Sequence, residues 1–62
     1  MNPIYSRDET ARIGRIVQTF ADDFASRKEA AVSARRFADI CTAANDSQGV
    51  AEMLSVAAIL EL

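Results

Sequence analysis

The chain has 62 residues, 50% of them hydrophobic, with a net charge of −2, one cysteine and no histidine. This length allows at most one domain, and the apolar content excludes a disordered chain. A lone thiol without histidine excludes an intramolecular disulfide and leaves too few ligands for a structural zinc site, so oligomerisation remains as the way to stabilise so small a core.

The first helix is predicted over about residues 7–25. Ser6 and Glu9 have the spacing of a capping box. Gly14 interrupts the helix, either as a plain defect that costs about 1 kcal/mol relative to Ala or as a point where another helix approaches closely. Apolar residues recur at the helical spacing i, i+3, i+4, i+7, at Ile13, Ile16, Val17, Phe20, Ala21, Phe24 and Ala25.

The stretch "SRKE" at Ser26 again has the spacing of a capping box, which would start a second helix. No Gly or Pro stands between Phe24 and Ala34, however, and the apolar stripe continues past Ser26 with only a gradual drift. We therefore slightly favour a near-continuous helix to about residue 44, bent near Ser26. Such a rod would be about 55 Å long, which suits an intertwined homodimer. The alternative is a break at Ser26 that gives three short helices.

A turn is predicted over residues 45–49, because Asn45, Asp46, Ser47 and Gly49 favour turns or caps. The last helix, about residues 48–61, carries only the charges of Glu52 and Glu61 and is apolar on almost every face. A helix of this kind must be buried on more than one face. The preceding segment offers only a narrow, alanine-rich stripe, so we expect a second copy to cover the rest.

The sequence thus predicts an all-α fold, either a helical hairpin or a three-helix domain, that forms a homodimer with the last helix at its centre. The predicted dimer interface takes apolar residues from the last helix and three phenylalanines from the preceding segment: Val50, Met53, Leu54, Ala57, Ala58, Ile59, Phe20, Phe24 and Phe37.

Catalysis is not expected, and neither is a cofactor or a metal. The most common general acid/base, histidine, is absent. Cys41 lies on an apolar helical face, where it reads as a small buried hydrophobe rather than a reactive thiol. Asp22 and Asp23 are adjacent on a helix and point about 100° apart, so they form no catalytic pair. The two glycines fit no phosphate-binding loop.

All seven basic residues lie within the first 36 positions, which carry a net charge of +2, whereas the remainder carries −4. This asymmetry allows a basic, nucleic-acid-binding surface over residues 27–36, or simply a solvated face with helical ion pairs, which we favour. Arginine and tyrosine are frequent at protein interaction hot spots. The candidate partner contacts are therefore Tyr5, Arg15, Arg27, Lys28, Arg35 and Arg36.

The start of the chain shows neither the basic nor the apolar region of a signal peptide. The longest apolar stretch, Val50–Leu62, is too short for the roughly 20 residues of a membrane span. We therefore expect a cytoplasmic protein that does not contact a membrane, since a lone thiol also suits a reducing compartment.

The stretches "YSRDETARIGRIVQTF" and "VAEMLSVAAILEL", together with the small size, give the chain a character that resembles the short accessory proteins encoded between the exonuclease and excisionase genes of lambdoid phages. The resemblance covers the whole chain but includes no defining motif. It implies an early-expressed protein of the host bacterial cytoplasm, concerned with host takeover or the choice between lysis and lysogeny. It carries over no functional residues.

The function that these observations favour is that of a small, non-enzymatic regulatory or host-interacting protein that acts through protein contacts, with a host protein as partner. The alternatives are a nucleic-acid-binding regulator that uses the 27–36 surface, or a structural subunit of a larger assembly.

Overall fold

A computed structural model describes residues 7–62, which form three α-helices: α1 (Arg7–Asp23), α2 (Arg27–Ala43) and α3 (Ser47–Leu60). The predicted all-α class is confirmed, in its three-helix form. Ser6, predicted to cap α1, and Tyr5, predicted to contact a partner, lie outside the described residues.

The expectation of a near-continuous helix through Ser26 is wrong. Ser26 has an extended backbone, with φ −143° and ψ 159°, and its hydroxyl oxygen accepts a hydrogen bond of 3.1 Å from the backbone N–H of Glu29. It is therefore the N-cap of α2, as the second interpretation of "SRKE" required. Without a break, α1 could not fold back onto the rest of the chain. The long rod that suggested an intertwined dimer does not form.

A Schellman motif ends α2. The backbone N–H of Asp46 donates to the Cys41 carbonyl at 2.8 Å, and that of Asn45 donates to the Thr42 carbonyl at 3.1 Å. Asn45 adopts the left-handed conformation with φ 60°, which asparagine tolerates better than most residues. The turn predicted over residues 45–49 is thus shorter and earlier: it spans residues 44–46, and residues 47–49 already belong to α3.

Asp46 begins α3, because its carboxylate accepts a hydrogen bond of 3.0 Å from the backbone N–H of Gly49. Gly49 lies so close to this cap that a Cβ there would collide with the Asp46 carboxylate and lie 2.8 Å from the Cys41 sulfur. Cys41 is half-buried, which matches the predicted small packing residue. The missing side chain of Gly49 therefore lets α3 start directly beside the end of α2.

Small side chains form the seam between α2 and α3, which are the two most extensively packed helices. Ala30 and Ala34 are fully buried, and Ala31 nearly so, against Val56 and Ala57. From α1 only Ile13 is fully part of this core, whereas four other apolar residues of α1 and Phe24 just after it pack against its edge: Ile16, Val17, Phe20, Ala21 and Phe24. The largest completely buried side chains are Leu60 and Val56, so the core is small even for this chain length.

The two glycines provide a matched pair for testing this packing. Gly49→Ala should lower the free energy of unfolding by about 1–3 kcal/mol, because the new methyl group overpacks the cap. Gly14→Ala should raise it by about 1 kcal/mol, because Ala is the better helix former and a Cβ at Gly14 meets no other side chain or helix of residues 7–62 within 4 Å. Urea denaturation followed by circular dichroism measures both values.

If Gly14→Ala instead destabilises the protein, a second chain packs against Gly14, which is the other interpretation of that glycine. If Gly49→Ala stabilises the protein, the cap is looser than the close contacts of Gly49 indicate.

Candidate interaction surfaces

The predicted dimer-interface residues of α3 separate into three groups. Ala57 lies in the core of its own chain, and Val50 and Met53 are half-buried. Leu54, Ala58 and Ile59 are exposed. The structure therefore removes Ala57 from the predicted interface, because the seam with α2 already buries it.

The distribution of side chains on α3 is the reverse of that on an ordinary surface helix. Its one charged residue, Glu52, points inward, and the Glu52 side chain is only 5% exposed. Its outward face bears Ala51, Leu54 and Ala58, at the helical spacing i, i+3, i+7. We call these three residues the outer face of α3. This face is apolar and carries no charge.

Polar groups from α1 and α3 surround Glu52. Arg12 of α1 approaches one carboxylate oxygen to 3.5 Å, and the Gln48 amide donates to the other at 3.5 Å. A hydrogen bond with the Glu9 carboxyl, assisted by burial, raises the pKa of Glu52 above its ordinary value of 4.5, and the charge of Arg12 opposes this rise only in part. Folding therefore shifts the protonation equilibrium of Glu52 toward the neutral acid, relative to an exposed carboxyl. Glu52 joins α1 to α3, and it does not line the aromatic cleft described below.

A carboxyl whose pKa is raised by folding stabilises the native state below about pH 4.5, and this contribution is lost as the pH rises through the raised pKa. Glu52→Gln mimics the neutral acid at every pH. We therefore expect its free energy of unfolding at pH 7 to equal or exceed that of the wild type, with the difference vanishing toward about pH 4. Urea denaturation across this pH range measures the difference.

Glu61→Gln is the control for this experiment, because it removes a half-exposed carboxylate that pairs with Arg35. It should not stabilise the protein at pH 7. A loss of stability in Glu52→Gln that grows with pH would contradict the account, because the ion pair with Arg12 would then outweigh burial.

Three phenylalanines and a methionine line a cleft where the three helices meet. Phe20 of α1 and Phe24, which follows directly after α1, are stacked with ring centroids 5.9 Å apart. Phe37 of α2 meets Phe20 edge-on at 5.8 Å. With Met53 of α3 they enclose about 420 Å³, and Thr19 and Asp23 complete the lining. We call this the aromatic cleft. All three phenylalanines of the predicted dimer interface thus belong to one site.

An acidic helix end lies beside the aromatic cleft. Asp22 and Asp23 are the last two residues of α1, whose last turn has no basic residue. The carboxyl end of a helix already carries a partial negative charge, so each carboxylate there is unfavourable by about 0.3–1 kcal/mol. Asp22 accepts a hydrogen bond of 2.9 Å from Gln18. The two ion pairs found within residues 7–62 both lie elsewhere.

Two of the predicted basic contact residues fasten the end of α3 instead. Arg27 donates from Nη2 to the Ile59 carbonyl at 2.9 Å and from Nε to the Leu60 carbonyl at 3.3 Å. Arg35 forms a two-pronged ion pair with Glu61, with contacts of 2.6 and 3.2 Å, and this bond raises the pKa of Arg35. Both arginines therefore have a structural role.

The other predicted basic contacts stay on the surface: Arg15, Lys28 and Arg36 are exposed. Lys28 and Arg36 flank a shallow depression that also contains Val32. Within the predicted basic surface over residues 27–36, Arg27 and Arg35 thus bond to the end of α3, although both stay exposed.

Within residues 7–62, no group of three or more Cys, Asp or Glu side chains lies close enough together to hold a metal ion. Among the same residues we find no helix with both the length and the apolarity that crossing a bilayer demands.

Comparisons of the chain with protein-family models, with characterised proteins and with solved structures return no match. The resemblance to phage accessory proteins and the expected absence of catalysis therefore stay predictions.

Two features of these surfaces were not predicted from the sequence. Glu52 was expected only as one of two charges on an apolar helix, although the helical phase of its apolar neighbours could have placed it inward. Asp22 and Asp23 were considered only as a catalytic pair and rejected, although their place at a helix end next to Phe24 was a visible signal.

Proposed function

We propose that this chain is a small, non-enzymatic regulatory protein that acts through protein–protein contacts, as a homodimer joined along the outer face of α3. The observation that carries the proposal is the reversed pattern of α3, with Glu52 inside and Leu54 outside. Leaving this face in water forgoes the hydrophobic stabilisation that apolar residues gain on burial.

A second copy suits the outer face because the face carries no charge. Burying it against an identical face removes no ionised group from water, which is the main cost of polar interfaces. Ala51 and Ala58 are small enough to let two helices approach closely, and Leu54 provides the one large side chain between them. In a two-fold dimer each Leu54 packs against Ala58 of the other chain.

The remaining exposed apolar residues also support a protein that binds other proteins. Six large apolar side chains are each at least 37% exposed: Val32, Phe37, Ile40, Leu54, Ile59 and Leu62. Scattered single exposures are normal, but here they include Leu54 on the outer face of α3 and Phe37 at the aromatic cleft.

The non-enzymatic part of the proposal is supported by the lack of histidine and by the structural roles of Arg27, Arg35 and Cys41. The likeness in size and character to accessory proteins of lambdoid phages supports the narrower proposal of an early regulator in the host bacterial cytoplasm, with a host protein as partner. Nucleic-acid binding is less favoured, because Arg27 and Arg35 bond to the end of α3.

Light scattering over a dilution series tests the dimer. The wild type should have about twice the 6.7 kDa mass of one chain, and Leu54→Glu should be monomeric, because burying two unpaired carboxylates costs several kcal/mol. Val32→Glu is the matched control, since Val32 is 47% and Leu54 45% exposed. It should remain dimeric.

Circular dichroism verifies that both variants keep their helices. A wild type that is monomeric at every concentration, or an equal loss of mass in the two variants, would contradict a dimer built on the outer face of α3.

A further inference from the structure

We infer that the aromatic cleft is the docking site for an amphipathic helix of a partner protein, which carries a lysine or arginine next to its apolar anchor residues. The inference rests on the proposal that this protein acts through protein contacts, and it names the chemistry of one partner. It does not depend on the dimer, because the outer face of α3 and the aromatic cleft involve different residues.

The lining of the cleft suits apolar anchors. Four of its six lining residues are phenylalanines or methionine, and Thr19 and Asp23 are the two polar ones. Phe37 is 48% exposed although its ring contacts Phe20, so half of its surface is available to a partner. The Thr19 hydroxyl already donates to the Arg15 carbonyl at 3.0 Å. Asp23 is therefore the main polar feature of the lining.

The charge at the cleft selects the partner. Asp23 lines the cleft and Asp22 precedes it, both at the negative end of the α1 dipole. A cation placed there would offset the repulsion between the two carboxylates and the helix end. Binding of an amphipathic helix in a groove uses anchors at i, i+3, i+4 and i+7, and a basic residue next to such an anchor would reach Asp23.

Other occupants fit the cleft less well. A polar small molecule would need several convergent polar groups, whereas Asp23 is the main one here. An anionic membrane surface attracts basic segments and would be repelled by Asp22 and Asp23. In the dimer proposed above, a second copy of this chain uses its outer face of α3, which carries no charge that could match Asp23.

Fluorescence anisotropy with two synthetic helical peptides tests this inference. One peptide has leucine on one face and lysine on the other, and its matched partner has glutamate in place of lysine. We expect the wild type to bind the leucine–lysine peptide at least tenfold more tightly than the leucine–glutamate peptide. The difference should shrink at high salt because exposed charges are screened.

Two variants locate the binding site. Phe37→Ala should weaken binding of the leucine–lysine peptide about tenfold or more, as loss of a large anchor contact does, and Asp23→Asn should weaken it severalfold. Ile40→Ala is the control, because Ile40 lies on the same helix and is 61% exposed. It should leave the affinity within about twofold, as a residue outside the contact does.

Equal affinity for the two peptides, or binding unaffected by both Phe37→Ala and Asp23→Asn, would overturn the inference. Circular dichroism would reveal whether Phe37→Ala unfolds the protein. In that case the peptide affinity of Asp23→Asn alone tests the docking site, because this substitution keeps the shape of the side chain. A change in the mass of the protein caused by Phe37→Ala would also overturn the inference, since the cleft would then be a contact between copies.

These outcomes are distinguishable from failure of the dimer. A monomeric wild type that still binds the leucine–lysine peptide through Phe37 and Asp23 would contradict the proposed dimer and support the aromatic cleft as a docking site. A dimeric wild type that binds neither peptide would do the opposite.

Discussion

The close, alanine-rich packing of α2 on α3 governs the rest of this structure. Ala30, Ala31 and Ala34 bring the two helices together around Val56 and Ala57. A seam of such small residues leaves little room for larger ones, so the large apolar side chains lie at the edges of the seam or on the protein surface. The exposed outer face of α3 and the half-exposed Phe37 both follow from this constraint. What stabilises the single chain also produces its two apolar surfaces.

Charged groups are arranged around the same seam. Glu52 is enclosed between α1 and α3 in surroundings that favour its neutral form. Arg27 and Arg35 bind the carboxyl end of α3, which complements the negative end of that helix. The carboxyl end of α1 has the opposite arrangement, with Asp22 and Asp23 and no cation. One helix end is thus satisfied within the chain, and the other is suited to a cation from outside.

The sequence predicted the helical class, the turn near residue 45 and the start of α3, because apolar periodicity and capping residues are local signals. It also marked Ser26 correctly as a capping position. Apolar periodicity alone wrongly favoured a continuous helix over a break at Ser26, because the apolar stripe has nearly the same helical phase on both sides of the break. A hydrogen bond from the Glu29 N–H to the Ser26 hydroxyl oxygen decides between the two paths, and no pattern of apolar residues reports it.

The sites were less predictable, because they depend on contacts between residues far apart in the chain. From the sequence, Arg27 and Arg35 are expected to be surface cations. The structure shows that they bond to Leu60 and Glu61, which lie more than 25 positions away in the chain. The three phenylalanines were predicted to lie in the dimer interface, and within one chain they contact one another. That they form a cleft with an acidic edge required the fold-back of α1, which the preferred sequence interpretation lacked.

The central claim is that a second copy covers the outer face of α3. Nuclear Overhauser effects between chains, measured in a mixture of isotopically labelled and unlabelled protein, test it most directly. The account predicts intermolecular contacts between the methyl groups of Leu54 and Ala58. A spectrum without intermolecular contacts, or one in which they arise only from Val32, Phe37 and Ile40 of α2, would contradict it.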